Sequence, residues 1–248
     1  MSLLEVITIL YEDADVVVIN KPSGLIVHPD GKREEESVVD WVLEKYPEAK
    51  QVGEPLELQS GNVIYRPGIV HRIDKETSGA LLIAKNQEAF YMLKKQFQER
   101  DVAKRYHAFI YGFLKLDRGT IDRQIGKSRS DFRLWSAQRG ARGEMRDAMT
   151  DFTVLARTKE ATFVEARPRT GRTHQIRVHF KAINHPLVSD NLYAPNHAPI
   201  LGFKRLALHA YSIEFVTPKG ETVTVIAPYP EDFEFAMADI KKQPETFL

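Results

Sequence analysis

Gly68-Ile69-Val70-His71-Arg72-Ile73-Asp74-Lys75-Glu76-Thr77-Ser78-Gly79 leads directly into Ala80-Leu81-Leu82-Ile83-Ala84, a continuous apolar run of strand length. Charged groups therefore sit between two apolar flanks, which puts Asp74 at the edge of a core. A carboxylate there needs hydrogen-bond donors or a cation. The amides of Thr77, Ser78 and Gly79 are close enough along the chain to supply some of them. On these residues two readings stay open: Asp74 braces its own turn, as Asp often does, or it is a chemical group.

Outward from this stretch the chain reads as short strands with interspersed helices. Residues 5–10 and 16–20 are β-rich runs split by Glu12-Asp13-Ala14-Asp15, and Lys21-Pro22-Ser23-Gly24 breaks the pattern. Residues 37–46 predict a helix with Ser37 as N-cap and Pro47 as stop, and residues 53–68 read as loop. After the apolar run, Asn86 caps a helix in which Phe90, Leu93 and Phe97 form a core stripe. Residues 104–111 return to strand, ended by Gly112; residues 151–156 and 161–166 form a hairpin; residues 173–183 form a helix. Residues 207–215 and 222–226 add strands, and 231–240 a closing helix. Strands outnumber helices and connections are short. The expected class is α+β, a mixed, mainly antiparallel central sheet with flanking helices.

The 248 residues, 43% of them hydrophobic, fit one large domain or two closely packed lobes, taken as a single domain, 1–248, that buries a core without disulfide or metal. No cysteine is present, which excludes thiolate zinc sites, iron–sulfur clusters and attack on a pyrimidine through a thiol. No apolar run approaches the ~18 residues of a membrane span, and no signal-peptide layout opens the chain, so a cytosolic protein is expected. Net charge is only +1, but residues 118–146 hold eight basic residues against three acidic ones and show no clear period. This stretch is either a solvated loop or a substrate arm for a polyanion, with Arg129 and Arg133 among its candidate contacts.

Two further stretches carry charge. In Arg167-Pro168-Arg169-Thr170-Gly171-Arg172-Thr173-His174-Gln175-Ile176-Arg177-Val178-His179, the predicted helix places His174, Arg177 and Lys181 on one face, opposite an aliphatic stripe. That face is either plain polar surface or a partner for an anion. His179 falls nearer the aliphatic side and reads as structural. Lys104-Arg105-Tyr106-His107-Ala108-Phe109 interleaves aromatics with basic residues, which suits base stacking as well as a core. His71-Arg72-Ile73-Asp74 is not the kinase loop, since a residue intervenes. His174 and His179 lack the zinc-protease spacing, and no phosphate-binding glycine loop is present. Cofactor-free chemistry is the simplest class.

Ile19-Asn20-Lys21-Pro22-Ser23-Gly24, the 71–79 stretch, Lys104 to Tyr106 and the 170–179 stretch together resemble the RluA family of pseudouridine synthases, in order and spacing, over nearly the whole chain. His185-Pro186 followed by Asp190, Leu192 and Tyr193 adds to the likeness, although Ser189 stands where the family usually has Gly and Ile73 replaces the commoner Leu. The resemblance implies an isomerase acting on uridines in structured RNA, ribosomal or transfer, on a sheet with a central catalytic cleft. It implies Asp74 as the essential aspartate and Tyr106 as the tyrosine that stacks on uracil and takes the C5 proton. It implies Arg177 as the basic residue that pairs with the aspartate, Arg72 as the residue displacing the target base, and Leu208 as a wall of the uracil pocket. No S4-type domain, no cofactor, no metal, no membrane and no obligate protein partner are expected, and a monomer is. Two rivals remain on the same residues: a non-catalytic RNA-binding module or chaperone, and a hydrolytic nucleoside glycosidase.

Overall fold

The computed structural model describes residues 2–29, 35–57, 63–129, 131, 134–137 and 141–242. In chain order it forms β1 (Thr8–Glu12), β2 (Val16–Lys21), α1 (Val38–Lys45), β3 (Leu56–Glu57), β4 (Val63–Ile64), β5 (Ser78–Ala84), α2 (Gln87–Glu99) and β6 (Ala103–Tyr111). Then follow β7 (Arg118–Asp122), β8 (Ile125–Lys127), β9 (Trp135–Ser136), β10 (Arg142–Arg146), β11 (Met149–Arg157) and β12 (Ala161–Pro168). The chain ends with α3 (Gln175–Ala182), β13 (Leu208–Val216), β14 (Thr222–Ile226) and α4 (Glu231–Lys242). The class is α+β with mixed, mainly antiparallel pairing, as expected. Among the described residues no helix is long and apolar enough to cross a membrane. The chain divides into two compact units, Met1–Lys104 with Ala210–Pro228, and Arg105–His209 with Tyr229–Leu248.

In the first unit the strand order is β1-β2-β5-β13, with β14 also on β13. β2 and β5 run antiparallel from Val16 opposite Ala84 to Lys21 opposite Gly79. All seven residues of β5 are buried, which explains an apolar run without alternation. The first strand lies later than the expected 5–10, because Glu5 N–H bonds Ser2 O and Ile7 N–H bonds Leu4 O and so commit the N-terminus to turns. Ser37 caps α1 through a capping box with Asp40, and Val38, Val39, Trp41 and Val42 face inward. Asn86 caps α2 by accepting the Ala89 N–H at 2.9 Å. Within the expected 53–68 loop, β3 and β4 form a two-residue pair.

Two glycines bound the 68–79 stretch. Gly68 and Gly79 have φ of +68° and +110°. A Cβ on Gly68 would lie 2.2 Å from Ala84 O, and one on Gly79 2.3 Å from Ala210 O. At both ends the backbone must pass where no side chain fits.

The second unit has strand order β6-β12-β11-β7, antiparallel where the register is set. Alternation on β6 sorts its two faces. Tyr106, Ala108 and Ile110 join Ile176 and Phe180 of α3 in one apolar cluster. Phe109 and Tyr111 join Phe233, Ala236 and Ile240 of α4 in another. Residues 118–146 are not the single irregular stretch that their sequence suggests. β7 joins the main strands, and β10-β8-β9 form a small sheet of their own. Strands of two to five residues are too short for a period to show. The small sheet is anchored by Ile125, Ala137 and Ala148 against Val178 and Ala182 of α3.

Gly79→Ala should destabilise the protein by about 3 kcal/mol, from the positive φ together with the backbone collision. Chemical denaturation checks this, and a stability within error of the parent would remove Gly79 from the framing of the loop.

Candidate active site

Asp74 sits on a loop whose back is tied to the turn after β2. Lys21 is fully buried, at 0% exposure. Its ammonium donates to Pro22 O and Leu25 O at 2.8 Å and, across the sequence, to Lys75 O at 3.0 Å. Gly24 N–H also reaches Lys75 O, at 2.9 Å, and Ser23 Oγ donates to Glu76 O at 2.7 Å. Three carbonyl acceptors meet the hydrogen-bonding demand of this buried ammonium. Thr77 N–H closes a turn onto Asp74 O at 3.1 Å, so this amide serves the backbone of Asp74. The Asp74 side chain is part-exposed.

The neighbours of Asp74 divide between structure and surface. His71 accepts the Leu82 N–H on Nε2 at 2.9 Å and stacks on Phe97 of α2 with ring centres 4.6 Å apart. An imidazole that accepts there is neutral. Burial, reinforced by the charge of Lys104, pushes its pKa down to about 3. Arg72 is exposed, with Nη1 3.3 Å from His28 Nε2.

In the second unit Tyr106 packs half-buried against the cluster that holds Leu208 and Ile176, so the structure gathers Tyr106, Leu208 and α3. Leu208 is 4% exposed. α3 begins at Gln175, two residues later than expected. His174 before it takes a left-handed φ of 54°. The buried Gln175 side chain holds the preceding loop by accepting from Thr170 Oγ1 (2.7 Å) and Arg172 N–H (3.0 Å) and donating to Met149 O (2.9 Å). The face carrying His174, Arg177 and Lys181 is not plain polar surface. Tyr193 lies along it, with its ring centre 5.0 Å from Arg177 and 5.5 Å from Lys181, and its hydroxyl 2.9 Å from His174 Nδ1.

Arg177 itself is buried and grips Asp190 in a fork, Nε and Nη2 each 2.8 Å from a carboxylate oxygen. Asp190 Oδ1 also accepts the Leu192 and Tyr193 amides at 3.0 Å. The resemblance includes Asp190 but gives it no role, and its separation of 13 residues from Arg177 has no helical or strand period to reveal it. His179 is structural as expected, held between Thr150 Oγ1 (2.9 Å) and Arg123 O (3.0 Å).

The basic stretch adjoins α3. Trp135 N–H donates to the Tyr193 hydroxyl at 3.1 Å, and Arg123 Nη1 donates to Ala182 O at the end of α3 at 2.8 Å. The Lys127 ammonium lies 4.2 Å from the Trp135 ring centre. Arg129 is exposed, whereas Arg133 and Arg139 lie outside the described residues.

Lys21→Met keeps the stem and removes the ammonium, so it should destabilise the protein by ~2–4 kcal/mol through unsatisfied carbonyls. Denaturant titration reads this, and a loss under 1 kcal/mol would show that the carbonyls find other donors. A native His71 pKa far below the ordinary 6.5 sets a sign. Below pH 6.5 the unfolded chain takes up a proton that the native imidazole refuses. Stability from this group is therefore complete above that value and falls as pH drops from 6.5 toward 3. The slope is at most about 1.4 kcal/mol per pH unit for one proton. His71→Gln should show a shallower fall of Tm between pH 7 and pH 5 than the parent, and equal slopes would refute the assignment.

The sequence matches the RNA pseudouridylate synthase family over residues 15–182. The chain is 39% identical to an uncharacterised RNA pseudouridine synthase of Bacillus subtilis, over 94% of this chain and 73% of that one. It is 37% identical to the ribosomal large subunit pseudouridine synthase D of Xanthomonas campestris, over 95% of this chain and 70% of that one. Among solved structures, human RNA pseudouridylate synthase domain containing 4 superposes with a TM-score of 0.71 at 25% identity, covering 94% of this chain and 92% of the other. With that fold, and with the Asp74 loop and α3 built as described, the chain belongs to the RNA pseudouridylate synthase family, isomerases that act on RNA.

Proposed function

We propose that this isomerase converts specific uridines of ribosomal or transfer RNA to pseudouridine with Asp74 as nucleophile or base and without a cofactor. One observation carries the reading: the Asp74 loop is pinned at Lys75 and Glu76 by Lys21, Gly24 and Ser23 and closed at both ends by glycines. A carboxylate on so restrained a frame is held ready for reaction rather than free to reorganise. The Xanthomonas relative's name favours large-subunit ribosomal RNA as the substrate.

The remaining roles follow the family resemblance. Tyr106 stacks on the uracil and takes the C5 proton, and Arg177 acts with Asp74. Arg72 displaces the base, Leu208 walls its pocket, and Arg129 and Arg133 contact the RNA beyond it. Extracting a stacked base costs a few kcal/mol, which an inserted arginine and a stacking tyrosine offset in part. The N1–C1′ bond is then exchanged for a C5–C1′ bond, N1 gains a proton and C5 loses one. Attack on C1′, attack on C6 and removal of the C2′ proton all begin from an ionised Asp74.

With transcripts of large-subunit ribosomal RNA carrying 5-³H-uridine, the parent should release tritium, and Asp74→Asn should lower the rate by ~10³-fold or more while the protein stays folded. Parent-like turnover in Asp74→Asn would end the assignment. Free uracil among the products would replace isomerisation by hydrolysis. Binding without any tritium release, in transcripts and transfer RNA alike, would leave a binding module.

A further inference from the structure

His28 and Arg72 meet from two separate stretches of the first unit, and their contact fixes the proton on the imidazole. Nδ1 of His28 lies 3.0 Å from Pro29 O, and Nε2 lies 3.3 Å from Arg72 Nη1. A carbonyl oxygen only accepts and a guanidinium only donates. Nδ1 therefore carries the hydrogen, Nε2 offers its lone pair, and the ring that faces Arg72 is neutral. No sequence pattern signals the pair, since 44 positions separate the two residues.

Both partners stand on firm mounts. The segment before His28 is tied to the start of α1, where Val38 N–H bonds Ile26 O at 2.9 Å and Val39 N–H bonds Val27 O at 3.2 Å. Leu25 and Val27 are buried. The Lys21 ammonium reaches Leu25 O on this side and Lys75 O on the other, so one cation fixes the bases of both stretches. Between these mounts the Arg72 side chain is exposed. A long exposed side chain without an acceptor spreads over many rotamers, and His28 narrows that spread. The kind of acceptor matters. A carboxylate would cancel the charge of Arg72 and hold it by a bond roughly twice as strong as a neutral one. A neutral imidazole orients the guanidinium and leaves its charge intact for a polyanion.

We propose that His28 is a positioning residue for base displacement: its Nε2 acceptor sets the direction of Arg72 in the free enzyme and gives up the guanidinium when RNA offers charged acceptors. The inference rests on the reading of Arg72 as the residue that displaces the target base, and adds the group that aims it. Phosphate oxygens form charge-assisted bonds with a guanidinium and so replace a neutral nitrogen. Holding Arg72 in one orientation beforehand reduces the entropy lost when it enters the base stack. The benefit falls on the step that extracts the uridine.

His28→Asn and His28→Gln separate the two hydrogen bonds. Asn carries its amide nitrogen at the position of Nδ1 and can still donate to Pro29 O, but it has nothing at Nε2. Gln carries its amide oxygen near the position of Nε2 and can still accept from Arg72. Both are compared with the parent, with Arg72→Ala and with His28→Asn in the Arg72→Ala background, by steady-state tritium release from large-subunit ribosomal RNA transcripts. His28→Asn should lower kcat/KM about tenfold, the share of one hydrogen bond to a charged group. His28→Gln should recover most of that loss, and the double variant should be no slower than Arg72→Ala alone. The Tm of both single variants should stay close to the parent's, because the contact is exposed. A loss in His28→Gln with His28→Asn at the parent rate would show that the ring serves Pro29 alone, and would overturn the inference. Parent rates in both, equal losses in both, or a full His28→Asn loss on top of Arg72→Ala would overturn it too. Each of these outcomes leaves Arg72 as the displacing residue, provided that Arg72→Ala is itself slow. Arg72→Ala at the parent rate removes that role and this inference together, and a parent that releases no tritium from any RNA removes the isomerase reading with them. If His28→Asn does not fold, His28→Ala takes its place beside the same Gln variant.

Discussion

A single buried ammonium organises the chemistry-bearing part of the first unit. Taking a lysine out of water is costly, and Lys21 is tolerated because three carbonyls converge on it. Two of them belong to the turn that follows β2. The third, Lys75 O, belongs to a residue 54 positions away and directly next to Asp74. The loop cannot relax without stranding the ammonium, and the ammonium cannot leave without stranding the loop. This mutual dependence is a physical reason for the Lys21-Pro22-Ser23-Gly24 and His71–Gly79 stretches to occur together.

Much of the frame was legible because it depends on local rules. Ser37 and Asn86 announce their helices by capping chemistry, and the unbroken apolar run of β5 announces burial on both sides. The 222–226 strand and the closing helix start where their patterns place them. The residues that escaped notice take their roles from partners distant in sequence. Lys21 reads as a turn-flanking lysine until its three carbonyls are found. His71 reads as part of a charged motif, yet it is a neutral acceptor for a strand amide. Asp190 takes its place as the partner of Arg177 and of the Leu192 and Tyr193 amides.

Composition left two readings open for one stretch. The basic excess of 118–146 looks like a loose arm, but among the described residues several of these cations have structural work. Arg123 ends α3, Lys127 lies over Trp135 and Arg146 meets Glu144. The apolar residues between them, Ile125 and Ala137, fasten the small sheet to the helix that carries Arg177. A charge count does not separate cations that face an RNA from cations that hold a fold.

The order in which the chain is made bears on the division into two units. β5 lies between β2 and β13, so the part of its second edge not already met by Gly68 and His71 is covered by a strand that the ribosome adds more than a hundred residues later. During translation the most apolar segment of the first unit therefore waits, half-paired, while nearly all of the second unit is synthesised. A nascent chain in this state exposes an unpaired edge of the kind that invites intermolecular pairing. The rigid Lys21 clamp, formed wholly from residues before β5, is available early and would hold the Asp74 loop in place while the growing chain awaits its missing strand.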